Sequence, residues 1–407
     1  MQTGARYQAV LEILTEVFKN ETPADKIIND YLRNRKYIGS KDRRFIVELT
    51  WNIIRNRLKL SFDSQYDDPR HILLYALCDK LEDVFDDSTY GISPLTPEEK
   101  LWLKKVKDIN ETVYPDYIEA ECPLWIFEKI QNIDLCKSLN QPATTDIRSH
   151  NIGREELQNK LATEGIEATK GGYSPYCLKI NERLVLNNCM AWHDGFFDIQ
   201  DESSQIASVL IDAKPEHKII DYCCGAGGKS LAVSNILKNK GNILAYDIDA
   251  KRLENIKPRI KRLNVKNIEL TDIIADSDKD FDRFILDAPC SGSGTWRRSP
   301  DAKFRLTKEK LFGLTKIQSN LLNIAASKTK LNGHIIYITC SILKDENENI
   351  IESFLNTNPE FSPINIQQLW KQKISAPYPC SSDIYLRMSP LTTGTDGFFV
   401  CILKKTS

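Results

Sequence analysis

The apolar positions of the chain change period along its length. Ala9, Val10, Ile13, Leu14, Val17 and Phe18 recur at helical spacing, so the first stretch predicts a helix. Ser40 is placed to cap a following helix, in which Phe45, Ile46, Leu49, Ile53 and Ile54 form one stripe. Ile72, Leu73, Tyr75, Ala76, Leu77 and Leu81 continue the pattern over 70–85. A loop rich in Asp, Ser, Gly and Pro runs from Asp86 to Pro97, and two more helices are predicted over 97–109 and 123–135. With no β-rich run between them, residues 1–137 read as an all-helical domain.

Residues 136–146 read as a linker, through Asn140-Gln141-Pro142-Ala143. A helix around Glu155–Leu161, stopped by Gly165, is followed by short apolar runs at Cys177–Ile180 and Leu184–Leu186. Residues 142–200 therefore predict a small α/β subdomain. From 201 to 407, strand and helix patterns alternate, which implies an α/β domain with a mostly parallel sheet. Its strands are expected at 218–222, 242–247, 267–270, 281–286 and 333–339. Helices are expected at 229–237, 250–263, 307–331 and 345–355, and 384–388 with 397–403 form a closing antiparallel hairpin.

Composition narrows the class. The 407 residues carry a net charge of −1, so no global field attracts nucleic acid, and an RNA partner would need local basic patches. The first residues, Met1 to Arg6, show no apolar signal region, and no stretch approaches a membrane span of roughly 18 apolar residues. The 11 cysteines are odd in number, scattered and free of Cys-x-x-Cys, which argues against a disulfide framework and a zinc ribbon. A reducing cytoplasm and no metal are expected.

Candidate chemistry lies at the ends of the predicted strands, where open α/β sheets bind ligands. Gly225-Ala226-Gly227-Gly228-Lys229 follows one strand and opens a helix, so the backbone can approach a ligand closely. Asp247 ends the next strand 22 positions after Gly225, at the distance of a carboxylate that accepts ribose hydroxyls. NAD and S-adenosylmethionine share the adenosine half that fits this arrangement. The rest of the domain offers thiols instead of a second nucleotide loop.

Those thiols are Cys290, after Asp287-Ala288-Pro289, and Cys340, after Tyr337-Ile338-Thr339. A lone strand-end cysteine is most often a small buried hydrophobe. Two of them beside Asp287 fit a more specific reaction. Carbon 5 of a pyrimidine is a poor nucleophile until a thiolate adds to carbon 6. Carbon 5 can then attack a methylsulfonium, a base removes its proton, and the thiolate leaves. A carboxyl group on the cytosine edge would stabilise the developing charge.

The motifs Asp287–Gly294, Arg297-Arg298-Ser299-Pro300-Asp301 and Tyr337–Ser341 with Glu346-Asn347-Glu348 resemble the RsmB/Nop2/Sun family of RNA 5-methylcytosine methyltransferases. Gln200–Gln205 and Gly394–Phe399 resemble that family's lead-in and C-terminal signature. The resemblance covers about 145–405. It implies a Rossmann-like class I methyltransferase domain at 201–407, an RRM-like subdomain at 142–200, and S-adenosylmethionine as cofactor. It implies Cys340 as nucleophile, Cys290 in product release, and Asp287 in contact with the base and the cofactor region. Cys223, Cys224, Gly225, Ala226, Gly227, Gly228, Lys229, Asp247 and Asp272 match the cofactor contacts, although the family usually has Ala-Pro where this chain has Gly225-Ala226.

The helical N-terminus, through Asp42-Arg43-Arg44, Arg55 and Pro123-Leu124-Trp125, resembles more loosely the NusB-like RNA-binding domain of the family's bacterial ribosomal-RNA branch. Small-subunit ribosomal RNA is the implied substrate and a monomer is expected. Transfer RNA, or a non-catalytic RNA-binding or assembly protein keeping the fold, are the rival readings.

Arg297, Arg298, Lys303 and Arg305 follow the Cys290 loop and are expected to contact phosphate. A second basic run, Lys251 to Lys266, reads equally as a solvated face. The target base must be splayed out of folded RNA to reach a thiol.

Overall fold

The computed structural model describes every residue except 20, 82–84, 86–89, 108–111, 182–184 and 276–278. The chain divides into two units, Met1–Gln141 with Trp296–Thr307, and Pro142–Thr295 with Lys308–Ser407.

The described residues of the first unit are helical. They form α1 (Thr3–Lys19), α2 (Ala24–Arg33), α3 (Ser40–Arg55), α4 (Arg57–Ser64), α5 (Pro69–Ala76) and later helices at Pro97–Lys107, Asp116–Glu119, Leu124–Ile130 and Ile133–Leu139. Val10, Ile13 and Leu14 of α1 pack with Ile46, Ile53 and Ile54 of α3 and Ile72 and Leu73 of α5. Each such buried side chain stabilises the unit by roughly 1.5–3 kcal/mol. Asp68 caps α5 by accepting from the N–H groups of Arg70 and His71, with Pro69 opening the helix. Ser40 is itself helical and offers no side-chain cap; Gly39 takes the cap position. The helix expected over 123–135 breaks at Gln131, whose φ of 51° ends one helix before Asn132 caps the next. The end of the helix expected to reach 109, and part of the Asp86–Pro97 loop, lie outside the described residues.

Trp296–Thr307 follows the Cys290 loop in sequence but belongs to this helical unit. Arg55 donates to the carbonyls of Arg297 (3.0 Å) and Asn140 (2.6 Å), and Ala24 N donates to Asp301 Oδ2 at 3.1 Å. The guanidinium of Arg57 lies 4.9 Å from the centre of the Phe304 ring.

The second unit holds two sheets. The smaller is antiparallel, in the order β2 (Thr169–Lys170), β3 (Cys177–Ile180), β1 (Thr145–Ser149), β4 (Phe197–Ile199). Of the strand expected at Leu184–Leu186, Leu184 lies outside the described residues and Leu186–Asn188 is a single 3-10 turn. The larger sheet has eight strands. Its order is β10 (Phe361–Pro363), β12 (Phe398–Lys405), β9 (Thr329–Thr339), β8 (Phe281–Asp287), β5 (Lys218–Asp221), β6 (Asn242–Tyr246), β7 (Ile268–Thr271), with β11 (Tyr385–Met388) also on β12. Strands β5 to β9 are mutually parallel. β12 runs antiparallel to β9, and β10 and β11 each pair antiparallel with β12.

Because β5 has β8 on one side and β6 on the other, the strand order reverses there. The loops after β5 and β8 consequently diverge and leave a crevice at the carboxyl ends. Between β8 and β9 runs the helix Lys308–Lys328. The helix expected over 250–263 is two pieces, Ala250–Glu254 and Ile256–Arg262, with Pro258 in the first turn of the second, where its missing N–H costs nothing. β10 and the helix Ile366–Lys373 fall where no element was expected.

Candidate active site

The site grows from strand register. Asp287, the last residue of β8, lies level with Ile338 of β9, so the loops carrying Cys290 and Cys340 leave the sheet side by side. The two Sγ atoms are 3.4 Å apart and both thiols are half-buried. The Cys290 thiol is pushed well above its ordinary pKa, first by its hydrogen bond with Cys340 and then by burial.

A buried carboxylate holds these loops together. Glu346, fully buried, accepts from Ser291 N (2.8 Å), Ser291 Oγ (2.5 Å), Ser341 Oγ (2.5 Å) and Gln318 Nε2 (3.0 Å). Ser291 and Ser341 are the residues directly after the two cysteines. Asn347 bridges Thr339 Oγ1 (2.6 Å) and the Ser341 carbonyl (2.9 Å) on the flanks of Cys340. Gly294 N donates to the Cys340 carbonyl at 2.9 Å, and Gly397 N to the Gly294 carbonyl at 2.8 Å. A Cβ on Gly294 would meet Gly397 O at 2.0 Å, so this approach requires glycine. In the sequence Glu346 stands out only as one residue of the Glu346-Asn347-Glu348 motif. Its role as acceptor for both serines appears once the loops are folded together.

Asp287 Oδ2 accepts from Lys229 Nζ at 2.5 Å, joining the Cys290 strand to the glycine loop. Lys229 is nearly buried, and its ammonium lies 5.2 Å from the centre of the Phe398 ring. Gly225 and Gly227 have φ of 53° and 78°, left-handed values that favour glycine. Gly225 N donates to Asp247 Oδ2 at 2.8 Å, and Asp249 N to Asp247 Oδ1 at 2.9 Å. Cys224 N donates to the Tyr246 carbonyl at 3.0 Å, and Arg259 to the Ala226 carbonyl, so backbone and side chain fix the turn. Cys223 and Cys224 lie inside it, and burial raises the pKa of both thiols.

S-adenosylmethionine fits this donor set. No atom lies within 4 Å of a Cβ built on Gly225, so the turn faces open space. Asp221, fully buried at the end of β5, has Oδ1 without a partner, and burial raises its carboxyl pKa to about 6. Both oxygens of Asp247 keep a spare lone pair for hydroxyls. Asp272 is exposed just beyond the end of β7. Carboxylates at the ends of β5 to β8 suit a ligand carrying a sulfonium, an ammonium and ribose hydroxyls.

Residues 208–404 match the model of the 16S rRNA methyltransferase RsmB/F family. A probable ribosomal RNA small subunit methyltransferase B of Bacillus subtilis is 30% identical over 73% of this chain and 67% of its own length. The chain belongs to the RsmB/F family. A Synechocystis relative, also a probable ribosomal RNA small subunit methyltransferase B, is 28% identical over 99% of both chains. Two solved structures share the fold. The crystal structure of PH0851 has a TM-score of 0.76 at 24% identity, with 99% of both chains covered. That of NSun6 from Pyrococcus horikoshii with SFG has a TM-score of 0.61 at 19% identity, covering 70% of this chain and 97% of that one. The Rossmann-like α/β class expected from the sequence is the observed one, and S-adenosylmethionine is the cofactor of this methyltransferase.

Family membership also orders the other signatures. Asp201, in the lead-in, accepts from Ser203 N at 2.8 Å and from Asp396 N at 3.2 Å in the C-terminal signature. Both signatures are thus one hydrogen-bonded corner of the RsmB/F domain.

The expected phosphate contacts divide. Lys303 is buried in the helical unit and donates to Asn140 Oδ1 at 2.9 Å, so it is withdrawn as an RNA contact. Burial lowers its pKa to about 8. Arg297 is also buried, and Arg305 pairs with Asp301 at 2.8 Å. Arg298 is exposed. Of the Lys251–Lys266 run, Arg259 and Arg262 are claimed by Asp198. The place of Arg297, Arg298, Lys303 and Arg305 after the Cys290 loop pointed to a surface, but the segment folds inward because Trp296, Pro300 and Leu306 are buried with it.

Proposed function

We propose that the chain methylates carbon 5 of a cytosine in small-subunit ribosomal RNA through a transient bond from Cys340 to carbon 6. The pairing of Cys290 and Cys340 at 3.4 Å, at the ends of adjacent strands, carries this reading. A methyl transfer to an oxygen or an exocyclic nitrogen would need no second thiol. The relatives' ribosomal RNA substrate supports the choice of RNA.

Gly225, Gly227, Asp247 and Asp221 would hold S-adenosylmethionine, with Asp272 at the rim. When bound, it supplies an electrophilic methyl group. Cys340 adds as thiolate to carbon 6 of the cytosine, and electron density reaches carbon 5, which acquires the methyl. As the thiolate adds, ring nitrogen 3 takes up a proton, and Asp287, held by Lys229, pairs with that protonated cytosine edge and stabilises the adduct. Loss of the carbon 5 proton to a base then expels the Cys340 thiolate. Cys290, protonated and in contact with that sulfur, assists the release. Glu346 keeps both sulfur-bearing loops in register throughout.

The protein is read as a monomer acting in the cytoplasm; among the described residues no helix is long and apolar enough to cross a membrane. Labelled methyl transfer to purified small-subunit ribosomal RNA, followed by bisulfite sequencing, tests the reading. A single protected cytosine is expected. Label in transfer RNA alone would overturn the substrate, and label outside carbon 5 would overturn the chemistry.

A further inference from the structure

A cavity of about 760 Å³ opens in the helical unit, within the size range of ligand sites. Tyr31, Tyr37, Tyr90, Arg35, Gln8 and Glu12 line it. Tyr37 and Tyr90 are 73% and 76% exposed, and single exposed aromatics are ordinary. Two that share one cavity with a third tyrosine are not scattered.

The third is held in a fixed pose. The Arg35 guanidinium lies 3.7 Å from the centre of the Tyr31 ring. Glu12 Oε2 accepts from Tyr31 Oη at 2.7 Å and from Arg35 at 3.5 Å. The loop bearing Tyr37 is also braced: Ile38 is buried, and Arg43 Nε donates to its carbonyl at 2.8 Å. The Arg35–Tyr31 pair and the Tyr37 loop therefore need little ordering when a ligand arrives.

Charge indicates which ligand. From Tyr31 to Arg44 there are six basic residues, Arg33, Arg35, Lys36, Lys41, Arg43 and Arg44, and one acidic residue, Asp42. Asp42 is offset by the Met1 amino group at 2.9 Å and Arg6 at 2.7 Å. Lys36, Lys41 and Arg44 are exposed, as is Arg33, which lies 3.6 Å from the Asp30 carboxylate. Aromatic rings and a guanidinium plane beside exposed cations are the chemistry that receives unpaired bases while neutralising their phosphates.

We propose that this cavity is a stacking site for an unpaired base of the substrate RNA, with Tyr37, Tyr90 and the Arg35–Tyr31 pair as its walls. It rests on the RNA substrate proposed above and adds where, in the helical unit, a single-stranded part of that RNA is held.

Fluorescence anisotropy on the full chain tests it, using an RNA hairpin with an unpaired loop and a fully paired duplex of the same stem. The double variant Tyr37→Ala/Tyr90→Ala is expected to bind the hairpin roughly 5- to 150-fold more weakly, the loss of one stacked base. Its affinity for the duplex and its salt dependence should stay at wild type. Tyr37→Phe/Tyr90→Phe should restore hairpin binding. Lys36→Ala/Lys41→Ala should weaken both RNAs and flatten the salt dependence. Because both rings are exposed, the double variant should unfold at the wild-type temperature. Wild-type hairpin affinity in the Ala variant, or equal loss for hairpin and duplex, would overturn the site. Labelled methyl transfer under saturating RNA separates the two readings. Methylation of cytosine with unchanged hairpin binding sinks this site alone, whereas no transfer to any RNA sinks the function itself.

Discussion

Cys290 Sγ and Cys340 Sγ lie 3.4 Å apart, although 50 residues separate them in sequence. The parallel pairing of β8 and β9 aligns the strands, and the Glu346 carboxylate closes the remaining distance by accepting from the serine after each cysteine. The thiol pair is thus as well placed as its support.

That support can be removed. Glu346→Ala is expected to lower kcat for methyl transfer by about 10²-fold, because small misplacements of reacting groups are costly. RNA affinity should change little. The buried donors of Ser291 and Gln318 would lose their acceptor, costing roughly 1–3 kcal/mol of stability. Steady-state kinetics and thermal unfolding check both parts, and wild-type kcat would refute the positioning role.

The cofactor turn makes a separate prediction. Asp247→Ala removes the acceptor for Gly225 N and the carboxylate offered to ribose hydroxyls. Hydrogen bonds to a charged group are each worth about 1.5–3 kcal/mol, so the Kd for S-adenosylmethionine should rise roughly 10- to 150-fold in calorimetry. Gly225→Ala should fold, at a cost of about 1–2 kcal/mol for its left-handed φ.

Lys303 should behave as a core residue. With its ammonium buried near Glu121, Lys303→Ala is expected to destabilise the helical unit by about 3 kcal/mol. The slope of RNA affinity against salt should stay at wild type. A slope reduced by about one would restore Lys303 as a phosphate contact.

His150 sets an acid limit. Burial holds its pKa near 4, below the ordinary 6.5, and the neutral ring can donate from Nε2 to the Leu263 carbonyl at 3.0 Å. The unfolded chain binds a proton below pH 6.5 while the folded chain does not until about pH 4. Stability is therefore lost as pH falls from 6.5 to 4 and levels off below that. Unfolding midpoints across this window should fall, and His150→Asn should make the fall shallower without abolishing it, because burial also holds the His334 pKa at about 4.

Much of this was legible beforehand. The alternation of β5 to β9 set the sheet, and strand-end residues such as Asp247, Asp287 and Cys340 stand where apolar runs stop. Glu346 and Asp221 were not recognised as site residues, since a buried carboxylate is defined by what folds around it. Arg297 and Lys303 were misread for the converse reason. Basic residues after a catalytic loop look like a surface until the apolar residues among them, Trp296 and Leu306, carry the segment inward. The break at Gln131 escaped because periodicity is blind to one left-handed residue inside a helical run.

The most direct test of the sulfur chemistry is a denaturing gel of protein incubated with S-adenosylmethionine and labelled substrate RNA. Cys290→Ala should trap a slow-migrating protein–RNA species that survives denaturant, and Cys290→Ala/Cys340→Ala should abolish it. A Cys340→Ala variant that still methylates RNA, or a trapped species that persists without Cys340, would contradict the account.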